Sequence, residues 1–483
     1  MKQSTQYVDG LGRPLQTVSR QATPGEDPKD IVMPVIYDNL GREVFKYLPY
    51  GKSNDGNYND GSFKLNPFAE QEVFYKSVFK DAGNNLMYDG EQVLYSKTEY
   101  ESSPLNRVTK AMAAGNSWAG SSKGTVQQYL LNNANDAVRI WNIANTSLNY
   151  NALNQDADIN IPESLSTGIY SEAQLFKNIS IDEQSNAVVE YKDKAGRVIL
   201  KKVQIGSVPA DYSGYQNWLC TFYVYDGLGR LRFVIPPKAV EAIKNDWSLS
   251  SHPDIINELC FRYEYDERQR MIAKKIPGAG WVYMVYDLRN RPVYSQDANM
   301  RIKNQWMGIL YDLLNRPVTN GILSCSLGRE ALQTYLNGML SFNGETINVS
   351  GASSSSTILD MNITSRSNGQ LLYQASQSIT FGTGFESEPG AQFTAEIIPA
   401  SSGTPFTNTI SVSTNPIPAG YNFIALTITH YDDYQDASKS YTNSYNSKLD
   451  VALDNAVYPD DIPLIASQQT TGMVTWSKVQ VRD

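Results

Sequence analysis

One short phrase recurs along the chain and sets what it can fold into. Tyr225-Asp226-Gly227-Leu228-Gly229-Arg230 returns in tight form at Tyr37-Asp38 to Gly41-Arg42, Tyr265-Asp266 to Arg270, Tyr286-Asp287 to Arg291 and Tyr311-Asp312 to Arg316. Looser copies run from Tyr7 to Arg13, from Tyr191 to Arg197 and, stretched, from Tyr100 to Arg107. A chain that repeats one local signal builds its fold from neighbouring copies of one unit. Here the unit is a β-hairpin. Aromatic and β-branched runs flank the phrase, as in Thr221 to Tyr225 and Leu231 to Ile235, which is strand composition. Between them stand Asp, two variable residues and then Gly or Asn, the pattern of a type I turn closed by a left-handed residue. Gly41, Gly229, Asn290 and Asn315 suit that left-handed place. Gln269 does not, so its hairpin is expected to be strained or differently turned. The Asp can accept from turn amides, and the Arg beyond it is close enough to face it. A role repeated this often implies scaffold, so Tyr, Asp, Gly and Arg are read as structural residues with no chemistry of their own.

The phrase resembles the YD repeat of bacterial Rhs (rearrangement hotspot) proteins, insecticidal toxin-complex shell subunits and animal teneurins. Asp9-Gly-Leu-Gly-Arg-Pro-Leu-Gln16, Asp30-Ile-Val-Met-Pro34 and Tyr47-Leu-Pro-Tyr50 are similar to an uncharacterised domain near the N-terminus of many Rhs-type proteins. Val234-Ile-Pro-Pro237, Leu259-Cys-Phe-Arg-Tyr263 and Lys274-Lys-Ile-Pro-Gly278 look like the same family further along. The resemblance covers residues 1 to about 323 and weakens toward the C-terminus. It implies an exported bacterial polypeptide whose YD ribbons form a hollow shell around a C-terminal toxin. On this reading the partner is the chain's own downstream region or effector, and the location is secreted or cell-surface. The self-cleaving aspartyl motif found at the end of many such shells is not seen in this sequence.

Composition narrows the classes. Tyr outnumbers Phe 31 to 15, which suits amphipathic strands whose outer face meets water. The net charge is −9 and no basic block exceeds a pair such as Lys201-Lys202, so nucleic acid is an unsuited partner. No stretch has the ~20 apolar residues of a membrane helix, so no membrane span is expected. The N-terminus lacks the apolar core of a signal peptide. Because the chain enters a repeat at once and stops in a strand-like pattern, both ends are expected to be cut edges of a longer polypeptide. Cys220, Cys260 and Cys325 form neither a metal motif nor a disulfide framework and read as small buried hydrophobes. Cys220 with Cys260 is the pair an oxidising compartment could bridge.

Five segments follow from the pass along the chain. Residues 1–84 hold N-terminal hairpins and a helix entered at Asn66-Pro67 and running to Tyr75. Their polar loop carries Asp55, Asn57 and Asn59 like the start of a calcium loop, but Asp60 and Asn66 fall where Gly and Glu are required. Residues 85–185 are either an inserted lobe or a decorated part of the sheet. Residues 186–341 carry the densest repeats, with Tyr-Asp pairs 40, 21 and 25 residues apart. They also hold amphipathic helices after Pro236-Pro237 and over Leu327 to Leu336. Residues 342–420 form a Ser/Thr/Gly-rich β lobe containing Ser353 to Ser356, strands at Ser378–Phe385 and Gln392–Ile397, and a turn at Glu388-Pro-Gly390. Residues 421–483 return to strands. The expected class is all-β: YD hairpins in an extended antiparallel sheet, short helical insertions and a second small β-rich lobe.

Catalytic signals are missing. His252 and His430 are the only histidines, 178 positions apart, and no nucleophile elbow, phosphate loop, paired-His motif or Cys-His pair is present. No catalytic residue, metal ligand or cofactor is therefore assigned, and the chain is expected to be non-enzymatic. Two readings stay open. One is a structural shell segment. The other is a surface adhesion or carbohydrate-binding protein, with Trp118, Trp141, Trp247, Trp281, Trp306 and Trp476 as sugar-stacking candidates and glycans as partners. Trp118 is expected to be the most exposed of them.

Overall fold

A computed structural model describes residues 3–24, 27–52, 59–81, 83–88, 90–143, 163–339, 342–351, 360–364, 372–375, 378–383, 385, 394–397, 407–435, 437, 440–442, 444 and 465–479. Asp55, Asn57, Ser353 to Ser356 and Glu388 to Gly390 lie outside the described residues. The chain divides into two units, residues 1–146 with 160–261, and residues 147–159 with 262–483.

The first unit contains fifteen named strands. They are β1 (Ser4–Val8), β2 (Pro14–Ser19), β3 (Ile31–Ile36), β4 (Phe45–Tyr47), β5 (Tyr50–Gly51), β6 (Tyr95–Tyr100), β7 (Val108–Met112) and β8 (Thr125–Leu131). Then follow β9 (Arg139–Asn142), β10 (Glu163–Ile169), β11 (Phe176–Ile181), β12 (Ala187–Lys192), β13 (Val198–Gln204), β14 (Trp218–Tyr225) and β15 (Leu231–Ile235). Helices α1 (Pro67–Val73), α2 (Pro237–Ile243) and α3 (Pro253–Leu259) are short. One antiparallel ladder runs β1–β2–β3–β4–β6–β7–β8–β11–β12–β13–β14–β15. Residues 85–185 thus supply strands to this ladder, with β9–β10 as a separate pair.

Alternation is clearest on β14. On β14, Trp218, Cys220, Phe222 and Val224 face the core while Leu219, Thr221, Tyr223 and Tyr225 do not. Helix α2 starts where Pro237 needs no amide partner, and it lays Ala239, Val240 and Ile243 into the same core. Burying Val240 and Ile243 contributes roughly 1.5–3 kcal/mol each. At α1, Pro67 takes the first helical turn, but Asn66 makes no side-chain cap, and the helix passes into a π-helical turn over Phe74–Val78. Cys220 and Cys260 sit in this core and Cys325 is likewise buried, all three unbridged.

In the second unit, β16 (Phe261–Tyr265), β17 (Met271–Lys275), β18 (Trp281–Tyr286), β19 (Pro292–Gln296), β20 (Gln305–Tyr311) and β21 (Pro317–Ser324) pair in sequence order. Helix α4 (Ala298–Ile302) lies between β19 and β20, and α5 (Arg329–Asn337) follows β21. Strands β22 (Glu345–Gly351), β23 (Asp360–Ile363), β24 (Leu372–Ala375), β25 (Ser378–Phe381), β26 (Thr394–Ile397) and β27 (Thr407–Val412) make the Ser/Thr-rich portion. Within it β22 pairs antiparallel with β27, while β23–β25 and β24–β26 are parallel. The long β28 (Asn422–Tyr431) then returns to pair with β21, and β29 (Val474–Val479) pairs with β28. The all-β class with short helices is observed.

Candidate functional site

Every copy but the stretched one at 100–107 builds the same turn. In the 225–230 copy, Asp226 N donates to Arg230 O at 3.0 Å and Gly229 N to Asp226 O at 2.9 Å. Oδ1 of Asp226 accepts from Leu228 N and Arg230 N at 3.0 Å each, and Oδ2 accepts from Arg230 Nε at 2.8 Å. Asp38 with Arg42, Asp266 with Arg270, Asp287 with Arg291 and Asp312 with Arg316 repeat the Nε contact at 2.9, 2.7, 2.6 and 2.7 Å. The residue before the Asp pairs with the residue after the Arg, as Tyr225↔Leu231, Tyr265↔Met271, Tyr286↔Pro292 and Tyr311↔Pro317. The closing residue is left-handed throughout: Gly41 at φ 75°, Gly229 at 79°, Asn290 at 62° and Asn315 at 66°. Gln269 keeps the same turn and hydrogen bonds at φ 63°, so that hairpin is strained without being differently turned.

The Tyr and the Arg act between hairpins. Arg13 stacks over Tyr37, Arg42 over Tyr100, Arg107 over Tyr129 and Arg197 over Tyr225, with guanidinium carbons 4.5–5.0 Å from the ring centres. In the second unit Arg270 covers Tyr286, Arg291 covers Tyr311 and Arg316 covers Tyr431, at 4.9, 4.6 and 4.3 Å. Each such Tyr hydroxyl can then reach the carbonyl just past that Arg. Tyr286 donates to Met271 O at 2.7 Å, Tyr311 to Pro292 O at 2.8 Å and Tyr431 to Pro317 O at 3.0 Å. Burial raises the Tyr225, Tyr286 and Tyr311 hydroxyls above their ordinary pKa, against the lowering effect of the stacked Arg.

The same geometry selects Gly or Asn at the left-handed place. A side chain built on Gly41 would stand 2.8 Å from Arg13 Nη1, and one on Gly229 2.8 Å from Arg197 Nη1. Where Asn stands instead, its Oδ1 accepts that guanidinium: Arg270 Nη1 to Asn290 and Arg291 Nη1 to Asn315, both at 3.1 Å. The turns at Gly41, Gly229, Asn290 and Asn315 thus carry a key for a neighbour. The ladder is a chain of rim contacts, each worth about 0.5–1 kcal/mol as an exposed cation–π pair. Burial raises and the Arg230 contacts lower the Asp226 carboxyl, with a net depression; the Arg42 amide depresses Asp38.

Several parts escape a reading by motif. Tyr7 and Tyr191 stand two places before their Asp, which puts them on the opposite face from Tyr225. Tyr191 is fully buried, and its hydroxyl donates to Asp136 Oδ1 at 2.7 Å. Asp182 with Asn186 and Asp81 with Asn85 build the same turn with Asn in place of Arg. Glu101 serves for Asp in the stretched copy, its carboxyl held down at about 2 by Arg107. The last rung is Asp432, which takes Arg316 Nη1 and Nη2 at 2.9 and 2.6 Å and is itself left-handed at φ 72°.

A second constellation lies inside the first unit. Lys177 Nζ meets Asp136 Oδ1 at 2.6 Å with both side chains buried. It also donates to Asp211 O at 2.7 Å. Lys202, equally buried, donates to Tyr212 O and Gly214 O at 2.7 and 2.9 Å and lies 4.6 Å over Trp218. Burial lowers Lys202 to about 8 and raises Cys220 to about 12. These groups hold loop carbonyls over the sheet and are closed to solvent. Among the described residues no cluster of three His, Cys, Asp or Glu is placed to hold a metal, and no helix is long and apolar enough to cross a membrane, which leaves β-barrels unaddressed.

The tryptophans divide. Trp141, Trp247, Trp281 and Trp306 are buried, whereas Trp118 and Trp476 are half-buried. Trp118 is thus among the two more exposed candidates, with Lys123 5.1 Å over its ring. His252 bonds Asp246 at 3.0 Å, and His430 bonds Asp433 at 2.7 Å.

A family model described as a domain of unknown function (DUF6443) matches residues 1–131. No curated protein matches. Solved structures that resemble the chain include the crystal structure of TcdB2-TccC3-TEV, at 17% identity and TM-score 0.40 over 66% of this chain and 12% of that one. TcdB2-TccC3 without its hypervariable C-terminal region gives 16%, 0.40, 66% and 12% in the same order. The Photorhabdus luminescens Tc holotoxin pore gives 17%, 0.39, 66% and 12%. The chain thus spans about an eighth of these proteins' length, and its fold assignment rests on the strand ladders described above.

Proposed function

We propose that the chain is a non-enzymatic structural segment of a secreted or cell-surface, Rhs-type bacterial polypeptide, forming part of a β-shell that encloses or presents a C-terminal effector. The observation that carries this reading is the ladder: within each unit, Arg13, Arg42, Arg197, Arg270 and Arg291 each lie over the Tyr of a neighbouring hairpin. Such a device propagates a sheet from repeat to repeat without an active centre. The resemblance of the repeats to YD proteins and the match over residues 1–131 support the family side.

The test uses the full-length polypeptide from which the segment comes. Limited proteolysis compares it with a form carrying Arg42→Ala and Arg291→Ala, substitutions that remove one rung in each unit. A shell predicts that the C-terminal region resists protease in the parent and becomes digestible when the rungs are lost. Equal digestion of that region in both proteins would overturn the enclosure.

A further inference from the structure

A cleft of about 780 Å³ opens within the second unit, where β28, β29, β22 and β27 meet. Its size lies in the range of small-molecule sites, about 300–1,000 Å³. The lining is unlike a drug-type pocket. Thr346, Asn408, Thr409, Ser411 and Thr429 line it together with the half-buried Trp476, beside Ile410 and Ile428. We propose that this cleft binds a saccharide chain.

Three observations carry the assignment. First, Trp476 is held as a rigid platform. His430 lies directly across the strand pair and stacks on it at 5.1 Å with the rings 1° from parallel, while Nε1 donates to Gln435 O at 2.7 Å. His430 is fixed in turn by Asp433 at 2.7 Å. A pre-set aromatic plane suits the apolar C–H face of a pyranose. Second, Asn408 Nδ2 is buried and makes no hydrogen bond, whereas its Oδ1 accepts from Lys478 Nζ at 3.4 Å. An orphaned donor costs about 1–3 kcal/mol, which an acceptor on a ligand would recover. Third, the Lys478 ammonium lies 5.1 Å over the indole and acts as a displaceable cover. Among the described lining residues Arg316 is committed to Asp312 and Asp432, which leaves Lys478, too little positive charge for a polyanion such as nucleic acid.

A printed array of defined oligosaccharides would screen the chain, followed by calorimetric titration with chitohexaose as a neutral probe and hexagalacturonate as an acidic one. The expected result is binding of at least one glycan, with a change in intrinsic tryptophan emission that is absent from Trp476→Ala. Trp476→Ala should abolish the binding. Asn408→Ala, which removes no packing platform, should weaken it by about 2- to 10-fold, the share of one neutral hydrogen bond. Lys478→Ala should tighten chitohexaose by about 2- to 5-fold by removing the cover, while weakening hexagalacturonate if the ammonium meets the carboxylates. No binding on the array overturns the proposal. So does binding that survives both Trp476→Ala and Asn408→Ala unchanged.

Discussion

The hairpin rims and the interior of the first unit both set carboxylates against cations, on opposite terms. On the rim, Asp9–Arg13, Asp38–Arg42 and Asp193–Arg197 repeat one design in partly exposed positions, with the Arg side chains 20–38% exposed. Each pair is individually weak, and its neighbours replicate it. Inside, Asp136 serves Lys177 and Tyr191 away from solvent, as Asp30 serves Lys64. Desolvation there makes the pair costly to build and far costlier to break. Repetition makes a contact expendable, and burial makes it indispensable.

The largest effect should therefore come from the interior. Asp136→Asn leaves the buried Lys177 ammonium without a counter-charge, at a cost of about 3–5 kcal/mol. Urea denaturation followed by the fluorescence of Trp141, Trp218 and Trp247, all in the first unit, reads it. Loss of a rim pair such as Asp9–Arg13 by Asp9→Ala should cost clearly less on the same scale. Equal costs would break the contrast.

The sequence exposes the rim and hides the interior for the same reason. The turn is local: Asp, two residues, Gly or Asn, and Arg close on themselves within five positions, so composition alone shows them. The partner of each Tyr is not local. Tyr311 docks on Arg291 across 20 positions and Tyr431 on Arg316 across 115, and only strand order brings them together. Face parity was available and decisive for Tyr191, whose offset from Asp193 turns it inward to Asp136. The turns at Asp81 and Asp182 were masked by Asn standing for Arg. Asp136, Lys177 and Lys202 carry no motif at all; their juxtaposition depends on which strands neighbour β11 and β13.

An intermediate effect sharpens what a rung demands. Gly229→Ala places a side chain at φ 79° and drives Arg197 off Tyr225, for a loss of about 1–3 kcal/mol. Gly229→Asn should cost less, because its Oδ1 can take the guanidinium as Asn290 and Asn315 do. If Asn proves worse than Ala, the key between turns is not what selects the residue.

The smallest expected effect is a pH dependence at the last rung. The Arg316 side chain, then the Gly472 amide, hold Asp432 down at about 2 from an ordinary value of 3.8. A carboxyl depressed in the folded state adds stability that is complete above its unfolded value and is lost as pH falls through its folded one. The contribution of Asp432 should therefore be intact above about pH 4 and decay between about 4 and 2. The Asp432 side chain is half-buried and reaches solvent, so salt should shrink the effect further. Other carboxylates titrate in the same window, so the informative quantity is the difference in unfolding midpoint between the parent chain and Asp432→Asn. That difference should narrow on acidification across pH 4 to 2. A difference that stays constant over this range would mean that Asp432 closes the ladder by its bonds to Gly472 N and Thr470 Oγ1, with its charge irrelevant to Arg316.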